Sequence, residues 1–168
     1  MELYFDRVAD RRIRALWEAL ERAGVASLRD LLDGKHRPHL SLVAADRLDG
    51  PAVVKALDGL TAVPPMTVTF QYVGYFPGGV LWLGPGPSTA LLAHQAAVLA
   101  RLTEAGIATS PLYSEGSWVP HCTLSMRVPV TKIAEAVRLC VDVLPVPATF
   151  TGAAVADHAR ESYYPLPG

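Results

Sequence analysis

One five-residue pattern occurs twice in the chain, and it constrains the fold more than any other feature of the sequence. "PHLSL" occupies 38–42 and "PHCTL" occupies 120–124, so His39 and His121 are 82 positions apart (121 − 39 = 82). Both copies lie in apolar runs that predict strands, where residues two apart point to the same face of a sheet. Each copy therefore places a histidine and a hydroxyl side chain together on one face.

Two further similarities occur at nearly the same offset. "ERAGVAS" at 21–27 resembles "TEAGIATS" at 103–110, and the pair Thr-Phe at 69–70 recurs at 149–150. Similar segments in one order, at an almost constant offset, indicate an internal duplication, and the period is too long for a solenoid. The sequence therefore predicts two similar lobes that are related by a pseudo-two-fold axis and meet at a cleft.

The predicted elements repeat in the same way: strand, helix, strand, helix, strand, and then this order again. The fold class is therefore α+β, in a single domain of 168 residues. Its lobes cover about 1–77 and 79–158, and a proline-rich tail, 159–168, follows. We predict strands over 2–5, 39–44, 66–76, 80–84, 119–127 and 148–156. We predict helices over 8–23, 50–60, 89–104 and 130–142.

The composition limits the classes of partner. Hydrophobic residues make up 51% of the chain and charged residues 18%, which is typical of a folded globular protein. The net charge of −1 speaks against non-specific electrostatic binding of long nucleic acids, DNA included. It allows a small nucleotide or the end of an RNA as the partner.

Cysteine content and hydropathy give expectations about location. The two cysteines, Cys122 and Cys140, do not make a disulfide framework, so we expect a cytoplasmic protein. No uninterrupted apolar run is long enough to span a bilayer, so we expect no membrane partner. We also expect a monomer.

The duplicated motif has a chemical consequence. If a two-fold axis relates the lobes, the motif strands approach each other and place His39, Ser41, His121 and Thr123 around one pocket. Two imidazoles can divide acid and base work, because histidine titrates near neutral pH. This suits in-line displacement at phosphorus: one histidine takes a proton from the attacking water, and the other gives a proton to the departing sugar oxygen. The two hydroxyls can hydrogen-bond the non-bridging phosphate oxygens, and no metal is needed in principle.

The two motifs also resemble those of a known family. "HLSL" at 39–42 and "HCTL" at 121–124 look like the paired His-x-[Ser/Thr]-x motifs of the two-histidine (2H) phosphoesterase superfamily. The resemblance is to its bacterial 2′-5′ RNA ligase-like branch, which includes RNA 2′,3′-cyclic phosphodiesterases. The turn "FPGGVLWL" at 76–83 and "WVPHCTL" at 118–124 extend the resemblance, which covers most of the chain.

The resemblance implies a fold, an activity and a set of site residues. It implies a bilobal fold in which two antiparallel sheets flank a central cleft, with helices on the outside. It implies chemistry on 2′,3′-cyclic phosphates or 2′-5′ linkages that needs no metal and no cofactor. Carried over residue by residue, it makes His39 and His121 catalytic, and it makes Ser41 and Thr123 phosphate-binding.

Three more residues are candidates for binding the substrate. Arg127 follows Thr123 by four, so it shares the motif face if the strand stays regular, and it could bind a phosphate through two hydrogen bonds. Trp118 and Phe76 are candidates for stacking on a base. The alternatives are a rim ion pair for Arg127 and core packing for the two aromatic side chains.

A zinc site made from His36, His39, His121 and Cys122 is disfavoured. Pro38 makes a helical presentation of the first two histidines unfavourable, and Cys122 faces away from His121 in a strand. We therefore predict no metal.

The residues leave three functions open. The first is hydrolysis of a 2′,3′-cyclic phosphate on RNA ends or nucleotides. The second is joining or cleavage of 2′-5′ RNA linkages by the same four residues. The third is a non-catalytic module that binds nucleotides or RNA ends. Near-symmetry of the motifs also leaves open which histidine is the base and which is the acid.

Overall fold

The structure is a computed structural model of the chain, and it describes residues 1–31, 36–45, 49–63, 65–158 and 160–167. Its strands are β1 (Glu2–Phe5), β2 (His39–Ser41), β3 (Thr67–Phe76), β4 (Val80–Pro85), β5 (Cys122–Ser125), β6 (Val146–Asp157) and β7 (Ser162–Leu166). Its α-helices are α1 (Arg7–Arg22), α2 (Leu28–Leu31), α3 (Gly50–Ala56), α4 (Thr89–Glu104) and α5 (Ile133–Val141). Short 3-10 helices cover Pro111–Tyr113 and Val130–Lys132. The α+β class is confirmed.

The strands pair antiparallel in the order β2-β1-β6-β3-β4-β5, and β7 pairs with β6. This order reads the same from either end when β2 is matched with β5, β1 with β4, and β6 with β3. In the central pair, Val68 lies opposite Ala148, two positions 80 residues apart (148 − 68 = 80). A duplication with a two-fold axis predicts such an order; the duplication itself stays a prediction.

The expected pair of separate sheets is not confirmed, because the long strand β6 belongs to both halves. Its first residues, Val146–Thr149, pair with β3. Its later residues pair with β1 on one edge and with β7 on the other. The described strands therefore form one continuous seven-stranded sheet.

The longer helices begin and end where local sequence signals predict. Asp6 caps α1, and its carboxylate accepts hydrogen bonds from the backbone N–H groups of Val8 and Ala9 at 2.8 and 3.1 Å. Gly24, with a φ of 77°, allows the left-handed turn that follows the helix. Ser88 caps α4 by accepting from the N–H of Leu91 at 3.2 Å. One apolar face of α1 is buried against the sheet: Ala9, Ile13, Leu16, Trp17 and Leu20.

Some elements differ from the prediction. The motif strands β2 and β5 are shorter than the predicted 39–44 and 119–127. The proline-rich tail contains β7, which the sequence analysis missed because Pro165 counts against a strand. Among the strands that the structure describes, β7 pairs with β6 alone, and a proline is tolerated on such an edge strand. Positions 159 and 168 of the tail lie outside the described residues.

The two faces of the sheet have different environments. Leu40 and Cys122 are fully buried in the core between the sheet and the helices. His39 and Ser41 point to the other face, as the period of two requires. Cys122 therefore faces the core, as expected, and both cysteines are free. Within the described ranges, no helix has the length and apolar character needed to cross a membrane.

Candidate active site

The two outermost strands of the sheet meet. β2 and β5 stand at opposite ends of the strand order, yet they contact each other, so the sheet curls until its edges come together. A pocket opens at this junction. Its polar lining residues are Glu2, His36, His39, Ser41, Thr123, Asp157 and His158. The structure therefore brings together three of the four motif residues, from both ends of the sheet.

His121 is not among the lining residues of the pocket, but it directly precedes β5, two positions before Thr123, which does line it. Burial lowers the pKa of His121, and a hydrogen bond to Val119 opposes that effect. A positive charge on His39 also lowers the pKa of His121, because two positive charges repel each other.

The two motif histidines are held in the same way. Nδ1 of His39 lies 2.9 Å from the carbonyl oxygen of Arg37, and Nδ1 of His121 lies 2.6 Å from that of Val119. Each carbonyl belongs to the residue two positions earlier. Because a carbonyl oxygen only accepts hydrogen bonds, Nδ1 carries the proton in both rings. In each histidine, Nε2 is therefore the atom available for proton transfer.

A buried carboxylate, Glu2, lies beside His39. Its Oε1 is 3.5 Å from Nε2 of His39 and 2.7 Å from Nε2 of His158. Its Oε2 accepts a hydrogen bond of 2.6 Å from the hydroxyl of Tyr4. Burial alone would raise the pKa of Glu2, but the charge of His39 and the hydrogen bonds from His158 and Tyr4 lower it to about 2. Glu2 is therefore negatively charged near neutral pH.

Two more histidines surround this carboxylate. The ring of His36 lies 5.1 Å from that of His39 and 4.4 Å from that of His158, between centroids. Burial, together with the charges of His39 and His158, lowers the pKa of His36 to about 4, so it is neutral at pH 7. The hydrogen bond to Glu2 raises the pKa of His158. In the part of the chain that the structure describes, no group of three or more His, Cys, Asp or Glu side chains is arranged to hold a metal ion.

The surroundings of His121 are aromatic. Its ring meets Phe76 edge-on at 5.1 Å and lies 5.8 Å from Trp82, and these two aromatic rings pack on each other at 4.8 Å. Gly74, opposite Trp82 in the β3–β4 pair, leaves space for the indole, because a Cβ there would lie 2.0 Å from it. Phe76, predicted to stack on a base, thus also packs against a motif histidine.

Trp118 links the segment before β5 to β2. Its indole Nε1 donates a hydrogen bond of 3.1 Å to the carbonyl oxygen of Ser41. The side chain of Tyr113 lies near Ser41, and burial is the main cause that raises the pKa of Tyr113. The half-buried ring of Trp118 packs against the core. These contacts give Trp118 a structural role, and its predicted role in stacking stays a prediction.

The structure does not bring Arg127 to the pocket. β5 ends at Ser125, and the register with β4 shifts along it, so the strand is less regular than the prediction required. Arg127 is exposed, and Met126 lines the pocket instead. Ser125 is buried and donates a hydrogen bond of 2.6 Å to the carbonyl oxygen of Ala26. Phosphate binding by Arg127 stays a prediction.

The sequence analysis missed four residues around the motif histidines: Glu2, Tyr4, Trp82 and His158. A signal for the first was present, because a glutamate in the otherwise apolar strand "ELYF" is unusual. The others gave none, because Tyr4 and Trp82 reach the motifs through pairing across the sheet and His158 through a contact with a residue 156 positions away.

The family model of the 2′-5′ RNA ligase superfamily matches residues 6–162, nearly the whole chain. The chain belongs to the 2′-5′ RNA ligase superfamily. The resemblance seen in the two motifs is thereby confirmed. Membership of this superfamily supports an enzyme that acts on phosphodiester bonds.

The fold of this superfamily member is also similar to that of a phosphoesterase of known crystal structure. The TM-score is 0.61 at 21% sequence identity, and the match covers 99% of this chain and 92% of the other. At this identity the likeness shows the fold alone. No curated protein matches the chain.

Proposed function

We propose that the protein is a phosphodiesterase that opens 2′,3′-cyclic phosphates on RNA ends or nucleotides by paired-histidine acid–base catalysis. The observation that carries the proposal is the matched orientation of His39 and His121. Each has Nδ1 bound to the carbonyl oxygen two residues earlier and Nε2 left for proton transfer. His39, Ser41 and Thr123 line the pocket where the edges of the sheet meet, and His121 lies two residues before Thr123.

The proposed reaction is an addition of water across one P–O bond. Nε2 of one histidine accepts a proton from water as the water oxygen attacks phosphorus. Nε2 of the other donates its proton to the ribose oxygen as the bond from phosphorus to that oxygen breaks. Ser41 and Thr123 donate hydrogen bonds to the non-bridging oxygens, where negative charge increases in the transition state. The proton is then exchanged with solvent, and the enzyme returns to its starting state.

The test is turnover of a 2′,3′-cyclic nucleotide, and of an oligonucleotide ending in this group, in the presence of EDTA. We expect His39→Ala and His121→Ala each to lower kcat by about 10²–10⁴-fold, the usual contribution of one general acid or base. His94→Gln, which changes a histidine of α4 that does not line the pocket, is the matched control and should keep the wild-type rate.

Two outcomes would overturn the proposal. One is that the wild-type protein turns over neither substrate. The other is that both histidine-to-alanine variants react as fast as the wild type. Tight binding of the nucleotide without product would favour the non-catalytic binding module instead.

The superfamily description favours a second candidate function, the joining or cleavage of 2′-5′ RNA linkages by the same residues. The discriminating measurement compares an oligonucleotide that contains one 2′-5′ linkage with a cyclic mononucleotide at equal concentration. Faster reaction of the oligonucleotide would favour this candidate. The low net charge of the chain supports a small or end-directed substrate.

A further inference from the structure

The two motif histidines have the same orientation but different neighbours. In the β1–β2 pair, Glu2 lies opposite Ser41. In the β4–β5 pair, Trp82 lies opposite Thr123. Glu2 and Trp82 therefore occupy equivalent places relative to the two motifs. One half of the site has a carboxylate where the other half has an indole.

The carboxylate affects the charge of its neighbours. The side chain of Glu2 is only 9% exposed, and its Oε1 lies 3.5 Å from Nε2 of His39. A buried negative charge attracts positive charge more strongly than an exposed one, because water screens it less. The negative charge of Glu2 thus attracts a positive charge on the imidazole of His39, and both residues line the pocket.

The indole has the opposite consequence for His121. The imidazole ring of His121 is packed against Phe76 and Trp82, and neither side chain carries a negative charge that would stabilise a proton on Nε2. Burial lowers the pKa of His121, the hydrogen bond to Val119 opposes this effect, and a charge on His39 adds to it; none of the described groups that shift this pKa is a carboxylate. The neutral imidazole, which can accept a proton, is the favoured form on this side.

We propose, on the basis of the proposed function, that Glu2 is a positioning residue that makes His39 the general acid and leaves His121 as the general base. Nε2 of His121 then takes the proton from the attacking water. Nε2 of His39, facing Glu2, gives its proton to the departing ribose oxygen. One side chain on a neighbouring strand thus gives the histidines of two similar motifs different roles.

The other charged and titratable groups near His39 must be included in this account. They come from β1 and the residue before it, from the segment before β2, from the end of β6 and the residue after it, and from the residue before β5: the Met1 amino group, Tyr4, His36, Arg37, His121, Asp157 and His158. Of these, His158 has the strongest effect on Glu2, because it shares Oε1 with His39. A charge on His158 therefore weakens the effect of Glu2 on His39.

The first experiment is the dependence of kcat on pH, from pH 5 to 9, for the wild type and Glu2→Gln with a 2′,3′-cyclic nucleotide. The acidic limb reports protonation of the base, and the alkaline limb reports deprotonation of the acid. We expect the alkaline limb to move to lower pH by about one unit in Glu2→Gln, with the acidic limb unchanged. Glu104→Gln, on the exposed end of α4, is the matched control and should keep both limbs.

A second variant covers the case in which Glu2→Gln does not fold. His158→Gln changes a side chain that is 42% exposed, and it keeps an N–H that can donate to Glu2 while removing a charge. We expect its alkaline limb to move to higher pH, because His39 no longer shares the carboxylate with a second cation.

Three outcomes would overturn the inference, and a fourth would overturn the proposed function on which it rests. Loss of rate in Glu2→Gln without movement of the alkaline limb would show a merely structural role. Movement of the acidic limb would make His39 the base. Movement of neither limb in His158→Gln would also contradict the inference. A wild-type protein without turnover would instead overturn the proposed function, on which this inference rests.

Discussion

At the scale of single residues, the pocket shows how burial and charge pairing act on similar side chains. His36 and His158 have ring centroids 4.4 Å apart, yet their pKa values move in opposite directions. His36 is buried, so desolvation dominates and disfavours its charge. His158 is more exposed and hydrogen-bonded to Glu2, which favours its charge. Burial thus decides the form of His36, and the hydrogen bond to Glu2 decides the form of His158.

This difference predicts the pH dependence of stability. The pKa of His36 falls from 6.5 to about 4 on folding, so the unfolded chain binds this proton at a higher pH than the folded protein does. The stability of the fold is therefore unaffected by His36 above pH 6.5, and it decreases as the pH falls towards 4. Between pH 7 and pH 5, this loss amounts to about 2 kcal/mol. We expect His36→Gln to lose less stability over this interval than the wild type, as measured by urea unfolding at the two pH values.

The sign of the effect can be checked with the neighbouring histidine. The raised pKa of His158 gives stability that is present at low pH and is lost as the pH rises, so His158→Gln should lose more stability on acidification than the wild type. An equal loss in the wild type and in His36→Gln would contradict the prediction. The lowered pKa of Glu2, about 2, acts below this interval and does not interfere.

At the scale of elements, a single carboxylate joins the first helix to the sheet. Oδ1 of Asp6 accepts from the N–H groups of Val8 and Ala9, and Oδ2 accepts from the N–H of Thr149 on β6 at 2.8 Å. The same side chain thus caps α1 and fixes its first turn against the central strand. Because β1 ends at the residue before Asp6, this contact also fixes the path of the chain from β1 into α1.

Removing this carboxylate should cost more than removing a simple helix cap. We expect Asp6→Ala to lower the free energy of unfolding by about 2 kcal/mol, because it loses a cap and a second charged hydrogen bond. Asp49→Ala is the matched control, since Asp49 caps α3 through a single bond of 3.2 Å to the N–H of Ala52. Its cost should be about 1 kcal/mol or less. Equal costs in urea unfolding at pH 7 would refute the role of the Thr149 contact.

At the scale of the whole molecule, the site depends on the closure of one curved sheet. β2 and β5 are separated by four strands in the pairing order, yet they face each other across the pocket. β6 makes this possible by joining the two halves of the sheet through both of its edges. Trp118 adds a direct link between the two ends, through its hydrogen bond to the carbonyl oxygen of Ser41.

A Trp118→Phe variant separates the structural role of this residue from base stacking. The phenyl ring keeps an aromatic face but loses the indole N–H, so the bond to Ser41 is lost. We expect a loss of about 1 kcal/mol in stability. We also expect a lower kcat/KM, because β2 and β5 are held together less firmly. Denaturant unfolding and turnover of a cyclic nucleotide measure the two effects. Unchanged stability and kcat/KM would favour stacking as its role.

Several features of this protein follow from the sequence alone. The bounds of α1 and α4 match the predicted helices within one residue, because caps and apolar spacing act over a few neighbouring positions. The shared face of His39 and Ser41 follows from the period of a strand. The family resemblance and the α+β class also follow from motifs that can be recognised in the sequence.

Other features were decided only by the tertiary structure. The single continuous sheet, the strand β7 and the meeting of β2 with β5 depend on pairing between distant segments. The ion pair of Glu2 with His158 joins residues 156 positions apart. The physical reason is that backbone conformation responds mainly to nearby residues, whereas burial and charge depend on every group that folding brings close. The sequence therefore identified two equivalent histidines, and only the fold made their environments different.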